Sequence, residues 1–270
     1  MNDFDAFARL IVAIEPWRAH LVFVGGWAQQ LYRFHPLAEV PNYQSLSTKD
    51  TDLAFSNQAP LEGNIRSALI RAGFSEELSG ELKPPVARYT LGEDNAGFYA
   101  EFLTPLLGST TKRNGSPDAT VEKAGITAQK LRHLDILLVS PWQVRVGKSQ
   151  HIPLPNSTDL QIPNPVSFIA QKLLIHENRS PAKRAQDLLY IHDALELFGG
   201  AISQLANLWR DEIKPQLADK TARRTSELSK EYFSSVTDTL RNAARIPQDR
   251  RLTPERMQAA CELALEKILG

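Results

Sequence analysis

Hydrophobic residues recur at helical spacing near the start of the chain. Four apolar side chains fall on one stripe of this segment: Phe4, Phe7, Ile11 and Ile14. Residues three and four apart lie on the same side of a helix, so the pattern predicts a helix over residues 3–15. Pro16 offers no backbone N–H and ends that helix.

Shorter apolar runs, separated by turn residues, predict strands in the first half of the chain. They cover residues 21–24, 49–55, 86–91, 98–106, 134–139 and 143–146. Helical spacing occurs between them at residues 27–34 and 60–73. Strands that alternate with helices and then form hairpins indicate a mixed sheet, so the predicted fold class is α/β (α+β).

The composition changes near residue 155. Pro155, Pro163 and Pro165 predict a stiff connector. After it, helical spacing covers residues 166–176, 181–198, 201–217, 223–243 and 254–268. We therefore predict an α/β domain over residues 1–155 and a helical domain over residues 156–270, with the active site in the cleft between the two domains.

The composition is typical of a globular protein, with 42% hydrophobic and 23% charged residues. Lys plus Arg and Asp plus Glu number 31 each, so no overall basic charge points to a nucleic-acid partner. The single cysteine, Cys261, excludes a disulfide framework. No apolar run is long enough for a membrane span, and the first residues lack a basic segment. We therefore expect a cytoplasmic protein without a signal peptide.

Two carboxylates on the strand predicted over residues 49–55 give the first chemical signal. Successive side chains of a strand point to opposite faces, so Asp50 and Asp52 share a face, about 6.5–7 Å apart along the backbone. At that spacing their oxygens can share hard divalent cations. Upstream, Gly25-Gly26 joins a strand to a helix, where free N–H groups can bind a phosphate. The two motifs suggest metal-assisted chemistry on a nucleotide, although a polar-x-polar pattern is also typical of an exposed edge strand.

The order of strand, Gly25-Gly26, helix, loop and Asp50-x-Asp52 resembles the nucleotidyltransferase superfamily of the polymerase β type. Within it, roughly residues 20–195 are most similar to small bacterial nucleotidyltransferases that include the AbiEii-type and MenT-type toxins of toxin–antitoxin systems. The resemblance implies transfer of a nucleoside monophosphate from a nucleoside triphosphate to a hydroxyl acceptor, with two Mg²⁺ ions as cofactors. The acceptor it implies is an RNA end, such as that of tRNA, or a protein hydroxyl, and a small-molecule hydroxyl, as in aminoglycoside modification, is a further alternative. An antitoxin would be an additional partner.

The third metal-binding carboxylate has two candidates on apolar segments, Glu101 and Asp135. The resemblance implies a third acid on the strand that follows the hairpin turn, where Glu101 lies. It also implies that an acid there acts as the base for the incoming hydroxyl. Glu101 is therefore the favoured candidate, and Asp135 is otherwise a structural acid paired with Arg132 or Arg145.

Nucleotide-binding residues are also implied by the resemblance. In this superfamily the turn is often Gly-Ser, whose hydroxyl contacts the phosphates; here Gly26 replaces the serine, so backbone N–H groups, Thr48 or Ser47 would take that part. The segments Lys172-Leu173-Leu174 and Lys183-x-x-x-Asp187-Leu188 resemble an AbiEii-like motif. It implies that Lys172 and Lys183 hold the triphosphate and that Asp187 orients one of them. From spacing alone, Lys183 and Asp187 also fit an exposed ion pair.

A second hypothesis is a binding module that has lost catalysis, because Gly26 replaces serine and Gln186 replaces a lysine often found before the aspartate in the family. The intact pair of Asp50 and Asp52 argues against it.

Basic residues at 220–224 and four later arginines either contact RNA phosphates or form a solvated helical face. The histidines show no metal-ligand spacing.

Overall fold

The computed structural model describes residues 2–46, 48–92 and 97–270, and it confirms the mixed α/β fold class. The chain divides into two compact units. The first comprises Met1–Phe34 and Ser47–Pro163, and the second comprises His35–Leu46 and Asn164–Gly270. Among the described residues, no helix is both long and apolar enough to cross a membrane.

The first unit contains one mixed sheet. Its strands are β1 (Val22–Val24), β2 (Asp50–Ala54), β3 (Ser75–Ser79), β4 (Val86–Leu91), β5 (Phe98–Pro105), β6 (Thr120–Lys123), β7 (Ile126–Leu131), β8 (Trp142–Val146) and β9 (Thr158–Ile162). The strand order is β3-β4-β5-β2-β1-β9-β8, and β7 pairs with both β5 and β6. β2 runs parallel to β5 and antiparallel to β1. β2 is therefore an interior strand.

Three helices of the first unit are α1 (Asp3–Ala13), α2 (Gly25–Leu31) and α3 (Ile65–Arg71). The apolar stripe of α1 packs into the core as its spacing predicts: the Phe7 ring stacks on Trp27 of α2 with 3.8 Å between centroids. Trp27 also meets the edge of Phe98 on β5. Phe98 and Phe102 alternate with Tyr99 and Glu101, which are only half-buried, so the helices cover one face of β5 and the polar side chains lie on the other.

The second unit is helical, apart from the segment 35–46. Its helices are α4 (Pro165–Ile175), α5 (Pro181–Leu197), α6 (Ile202–Leu208), α7 (Asp219–Phe233), α8 (Asp238–Ala244) and α9 (Pro254–Leu269). A π-helical turn, Trp209–Ile213, follows α6. The start of α4 is capped by Asn164, whose side chain accepts a hydrogen bond from the Ser167 N–H, and Thr253 caps α9 in the same way.

Several local predictions are wrong. Residues 134–139 form no strand but contain a 3₁₀ turn, Asp135–Leu138, so β8 pairs with β9 instead. The segment treated as a connector contains β9, whose Leu160 and Ile162 are fully buried in the sheet. The helix predicted over residues 60–73 is limited to α3, because the chain first turns at Gly63 with φ of +80°. The helix predicted over residues 223–243 is two helices, α7 and α8.

Candidate active site

Asp50 and Asp52 lie on one face of β2, as their spacing predicts. Thr51 and Leu53 between and beyond them are fully buried, whereas both aspartates are half-buried. Because β2 lies between β5 and β1, the alternative of an exposed edge strand is excluded. Two carboxylates on an interior strand, which are costly to desolvate, call for a ligand or charged partners.

Glu101 joins this pair from the neighbouring strand. In the parallel register of β2 and β5, Asp52 is opposite Glu101 and Asp50 is opposite Tyr99. Neighbouring strands are about 4.8 Å apart, and paired residues point to the same face. Asp50, Asp52 and Glu101 thus share one side of the sheet, and we refer to these three residues as the carboxylate face.

The rival candidate, Asp135, lies on a 3₁₀ turn and is exposed. Among the described residues it forms no ion pair with either predicted partner. Arg132 donates to the Gly108 carbonyl over 3.1 Å, and Arg145 pairs with Asp159 at 3.0 Å. The carboxylate face is therefore formed by strand residues, and nothing in the register of the sheet connects Asp135 with it.

The Gly25-Gly26 turn approaches the carboxylate face closely. Gly25 begins α2 with φ of +66°, and a Cβ atom placed on it would lie 2.5 Å from Asp52 Oδ2. A Cβ atom on Gly26 would lie 2.6 Å from Thr48 Cγ2. A side chain at either position would therefore require Asp52 or Thr48 to move, and the backbone conformation of Gly25 also favours glycine. The structure brings Thr48 beside the turn, while Ser47 lies outside the described residues.

The surroundings of Glu101 contain a cation and an aromatic ring that sequence reasoning missed. Arg88 Nε lies 2.9 Å from Glu101 Oε1, and the guanidinium lies 4.2 Å from the centroid of the Tyr99 ring. Burial raises the pKa of Tyr99 to about 12; the charge of Asp50 also raises it, and Arg88 opposes this. The strands predicted over residues 86–91 and 98–106 flank a hairpin turn, and counting back across it would have placed Arg88 opposite Glu101.

The donor set of the carboxylate face fits divalent metal ions. Its ligands are carboxylate oxygens, which hard cations such as Mg²⁺ and Mn²⁺ prefer. The missing side chain at Gly25 leaves backbone close to Asp52 Oδ2, where any Cβ would intrude. Asp50, Asp52 and Glu101 are the residues that would hold such ions.

The second unit contains the remaining predicted residues. The side chain of Asp187 is 1% exposed and forms ion pairs with two basic side chains. Lys172 Nζ lies 2.8 Å from Asp187 Oδ1, and Arg179 Nε lies 3.2 Å from Asp187 Oδ2. The contact with Lys172 is ionic, since Oδ1 has no hydrogen-bond partner of good geometry. Lys172 Nζ also lies 5.4 Å from the centroids of Phe168 and Tyr190.

Lys183 does not form the exposed ion pair with Asp187 that its spacing suggests. It is exposed, and its Nζ donates to Gln186 Oε1 over 3.2 Å. Asp187 therefore pairs with Lys172 rather than with Lys183. Arg179 is a second partner of Asp187 that the sequence did not predict. In the sequence it is marked out by nothing except its position in the turn between two predicted helices.

Comparison with known protein families shows to which class of enzyme the chain belongs. A family model with the description Nucleotidyltransferase matches residues 2–214, which is most of the chain. The chain belongs to this nucleotidyltransferase family. Its members transfer nucleotidyl groups, so a nucleoside triphosphate is a substrate of this enzyme. No curated protein matches the chain.

The nucleotidyltransferase also has a second group of potential metal ligands, in its helical unit. His192, Asp193 and Glu196 place one ligand atom each within 4.8 Å of one another. His192 thus lies beside two other residues of metal-ligating type, although the spacing of the histidines along the sequence predicts no metal site. However, Asp193 pairs with Arg250 and with His192 Nδ1, and Tyr43 donates to Glu196 over 2.6 Å. These contacts make the group a buried polar network that fixes residues 35–46 on α5.

Some of the C-terminal basic residues of the nucleotidyltransferase are paired with acids. Arg224 contacts Glu177 at 2.8 Å and Glu231 at 3.3 Å. Arg241 lies 2.7 Å from Asp238. The ion pairs of these two arginines fit a solvated helical face at their own positions.

Proposed function

We propose that the protein is a Mg²⁺-dependent nucleotidyltransferase that moves a nucleoside monophosphate from a nucleoside triphosphate to a hydroxyl acceptor. The observation that carries this proposal is the convergence of Asp50, Asp52 and Glu101 on one face, with the Gly25 backbone against Asp52. Two divalent ions held there would stabilise charge on the attacking and leaving oxygens. The position of Glu101 on the strand next to Asp50 and Asp52 supports Glu101, rather than Asp135, as the third metal-binding carboxylate.

The proposed reaction balances with Glu101 as the base. The acceptor hydroxyl oxygen forms a bond to the α-phosphorus, and its proton moves to Glu101. The bond between the α-phosphorus and the oxygen that bridges to the β-phosphorus breaks, and pyrophosphate leaves with the bonding electrons. Asp50 and Asp52 would hold the ions, which would supply positive charge beside the phosphate, so substitution of either aspartate should lower kcat by orders of magnitude.

The nucleotide-binding roles are proposed mainly from the resemblance. Backbone N–H groups at Gly25 and Gly26 would contact phosphate oxygens, and the position of Thr48 beside Gly26 supports a part for its hydroxyl. Lys172 and Lys183 would contact the triphosphate. The ion pair with Asp187 supports the idea that Asp187 orients Lys172.

For the acceptor, we propose an RNA end, such as that of tRNA, with the protein acting as the toxin of a toxin–antitoxin pair. The support is the spacing of Lys172, Lys183 and Asp187, which resembles AbiEii-like enzymes. The other candidate acceptor is a protein hydroxyl, and the experiment below distinguishes it from an RNA end. Location in the cytoplasm, where these substrates are found, belongs to the same proposal.

The test is transfer of label from each of the four α-³²P nucleoside triphosphates into total RNA, total protein and the enzyme itself, with Mg²⁺ present. Asp52→Asn should abolish transfer, whereas Asp159→Asn, which changes an exposed carboxylate of the same sheet, should not. Label in RNA supports the proposed acceptor, and label in protein replaces it. Mg²⁺-independent nucleotide binding without transfer into any fraction would favour the non-catalytic binding module, to which Gly26 in place of serine already points.

A further inference from the structure

Arg88 faces Glu101 across the β4–β5 hairpin. The two residues are directly opposite in the antiparallel register, and Arg88 Nε donates to Glu101 Oε1 over 2.9 Å. The side chain of Glu101 is 20% exposed and that of Arg88 is 44% exposed. The bond is therefore sheltered at the carboxylate end and open to solvent at the guanidinium end.

The guanidinium has a second anchor on the same face. It lies 4.2 Å from the centroid of the Tyr99 ring, within the range in which a cation over an aromatic ring is stabilised. Tyr99 is opposite Asp50 in the β2–β5 register, and Glu101 is opposite Asp52. A planar, stacked guanidinium loses less freedom when it forms a hydrogen bond than a lysine ammonium would. Arg88 is thus held in place by two neighbours of the metal-binding aspartates.

The ion pair between Arg88 and Glu101 uses only part of each group. Among the described residues, Glu101 Oε2 and both terminal nitrogens of Arg88 have no hydrogen bond. A guanidinium that binds a carboxylate through two parallel bonds would occupy both oxygens. The single bond fixes the orientation of the carboxylate through Oε1 and leaves Oε2 available.

We propose that Arg88 is a positioning residue for Glu101, which holds Oε1 so that Oε2 is presented to a divalent ion or to the acceptor hydroxyl. This inference rests on the proposed function, since it assumes that Glu101 acts with Asp50 and Asp52. Carboxylates that bind metals are commonly oriented by hydrogen bonds from outside the metal site, and loss of such a partner weakens binding.

The chain offers a matched control in the same sheet. Arg145 and Asp159 are directly opposite across β8 and β9, with 3.0 Å between Nη1 and Oδ2. Both side chains are more exposed, at 63% and 47%, and neither residue lies on β4, β5 or β2. Removal of Arg145 therefore reports the loss of a cross-strand ion pair without any effect on Glu101.

The experiment measures Mn²⁺ affinity by electron paramagnetic resonance for the wild type, Arg88→Ala, Arg88→Lys, Arg145→Ala and Glu101→Gln. We expect Arg88→Ala to weaken Mn²⁺ binding roughly 10-fold, although it removes a positive charge. Arg88→Lys should recover part of the loss, and Arg145→Ala should match the wild type. In a Glu101→Gln background, Arg88→Ala should have no further effect. Thermal unfolding of each variant verifies that it is folded.

Each alternative result overturns the proposal. Tighter Mn²⁺ binding by Arg88→Ala would mean that Arg88 only competes with the metal for Glu101. Unchanged binding with a lower Tm would mean a structural ion pair. An additive loss in the Glu101→Gln background would mean that Arg88 does not act through Glu101. If the wild type transfers label but Arg88→Ala binds Mn²⁺ normally, only this inference fails; if the wild type neither binds Mn²⁺ nor transfers label, the proposed function fails as well.

Discussion

Gly25 and Asp52 are in such close contact that a Cβ atom on the glycine would lie 2.5 Å from Asp52 Oδ2. The residues belong to different elements, the start of α2 and the middle of β2, and β1 brings them together because Val24 is opposite Asp52. The contact explains why the sequence has glycine here: the position combines φ of +66° with no room for a side chain.

Gly25→Ala should therefore impair the carboxylate face more than it impairs folding. The left-handed backbone costs about 1–2 kcal/mol for an alanine, and the added methyl group must displace the Asp52 carboxylate. We expect at least a 10-fold lower kcat for nucleotidyl transfer, measured with the labelled nucleoside triphosphate. Gly115→Ala is the control, because Gly115 has φ of +79° with open space around it. Equal losses of activity in the two variants would contradict a specific contact with Asp52.

Metal binding at the carboxylate face should stabilise the protein. A ligand that binds only the folded state adds about 2.7 kcal/mol at a concentration 100 times its Kd. We expect Mg²⁺ or Mn²⁺ to raise the Tm of the wild type by several degrees, and Asp50→Asn to abolish this rise. Asp159→Asn should keep it. A rise of equal size in Asp50→Asn would place the bound ion elsewhere, for example at His192, Asp193 and Glu196.

The central part of the fold was predictable because its signals are local. Alternation along β2 placed Asp50 and Asp52 on one face, and the Gly25-Gly26 turn followed an apolar strand directly. The strand predicted over residues 134–139 is wrong because a short apolar run has the same pattern in a buried 3₁₀ turn as in a strand. β9 was missed because prolines flank it, and only its pairing with β8 and β1 makes it a strand.

The partners of the predicted site residues were less accessible to sequence reasoning. Asp187 is four residues from Lys183, yet its ion pairs are with Lys172 and Arg179. Lys172 lies 15 positions earlier in the sequence. Helix spacing describes neighbours on one helix, whereas this contact depends on how α4 packs against α5. Arg88 was overlooked for a similar reason, because its importance comes from the register of a hairpin.

Lys172 and Lys183 should differ sharply in their contribution to stability. Removal of Lys172 leaves the buried carboxylate of Asp187 with Arg179 as its remaining cation, so Lys172→Ala should destabilise the protein by about 3 kcal/mol. Lys183 is exposed and, within the described part of the chain, bonded only to Gln186, so Lys183→Ala should change stability by less than about 0.5 kcal/mol. Urea unfolding followed by circular dichroism measures both. Similar midpoints for the two variants would show that the ion pair between Lys172 and Asp187 contributes little.

The thiol of Cys261 should make stability depend on pH in the alkaline range. Cys261 on α9 is fully buried, and burial, with the charges of Asp193 and Glu196, raises its pKa well above the usual value. Above about pH 8.5 an unfolded thiol releases its proton, while the folded one keeps it. The unfolded state then binds fewer protons, so the free energy of unfolding falls as pH rises, by up to about 1.4 kcal/mol per pH unit for this group.

Urea midpoints measured between pH 7 and pH 9.5 test this expectation. Below about pH 8, ionisation of Cys261 should leave the urea midpoint of the wild type unchanged, and above that pH it should lower the midpoint. Cys261→Ala is the comparison, because every other titrating residue is kept; its midpoint should fall less steeply, whatever its stability at pH 7. In the folded wild type, a thiol reagent should react with Cys261 only as fast as the helical unit opens. Parallel midpoint curves for the two proteins, together with rapid modification of the native thiol, would mean that α9 does not shield Cys261 from water.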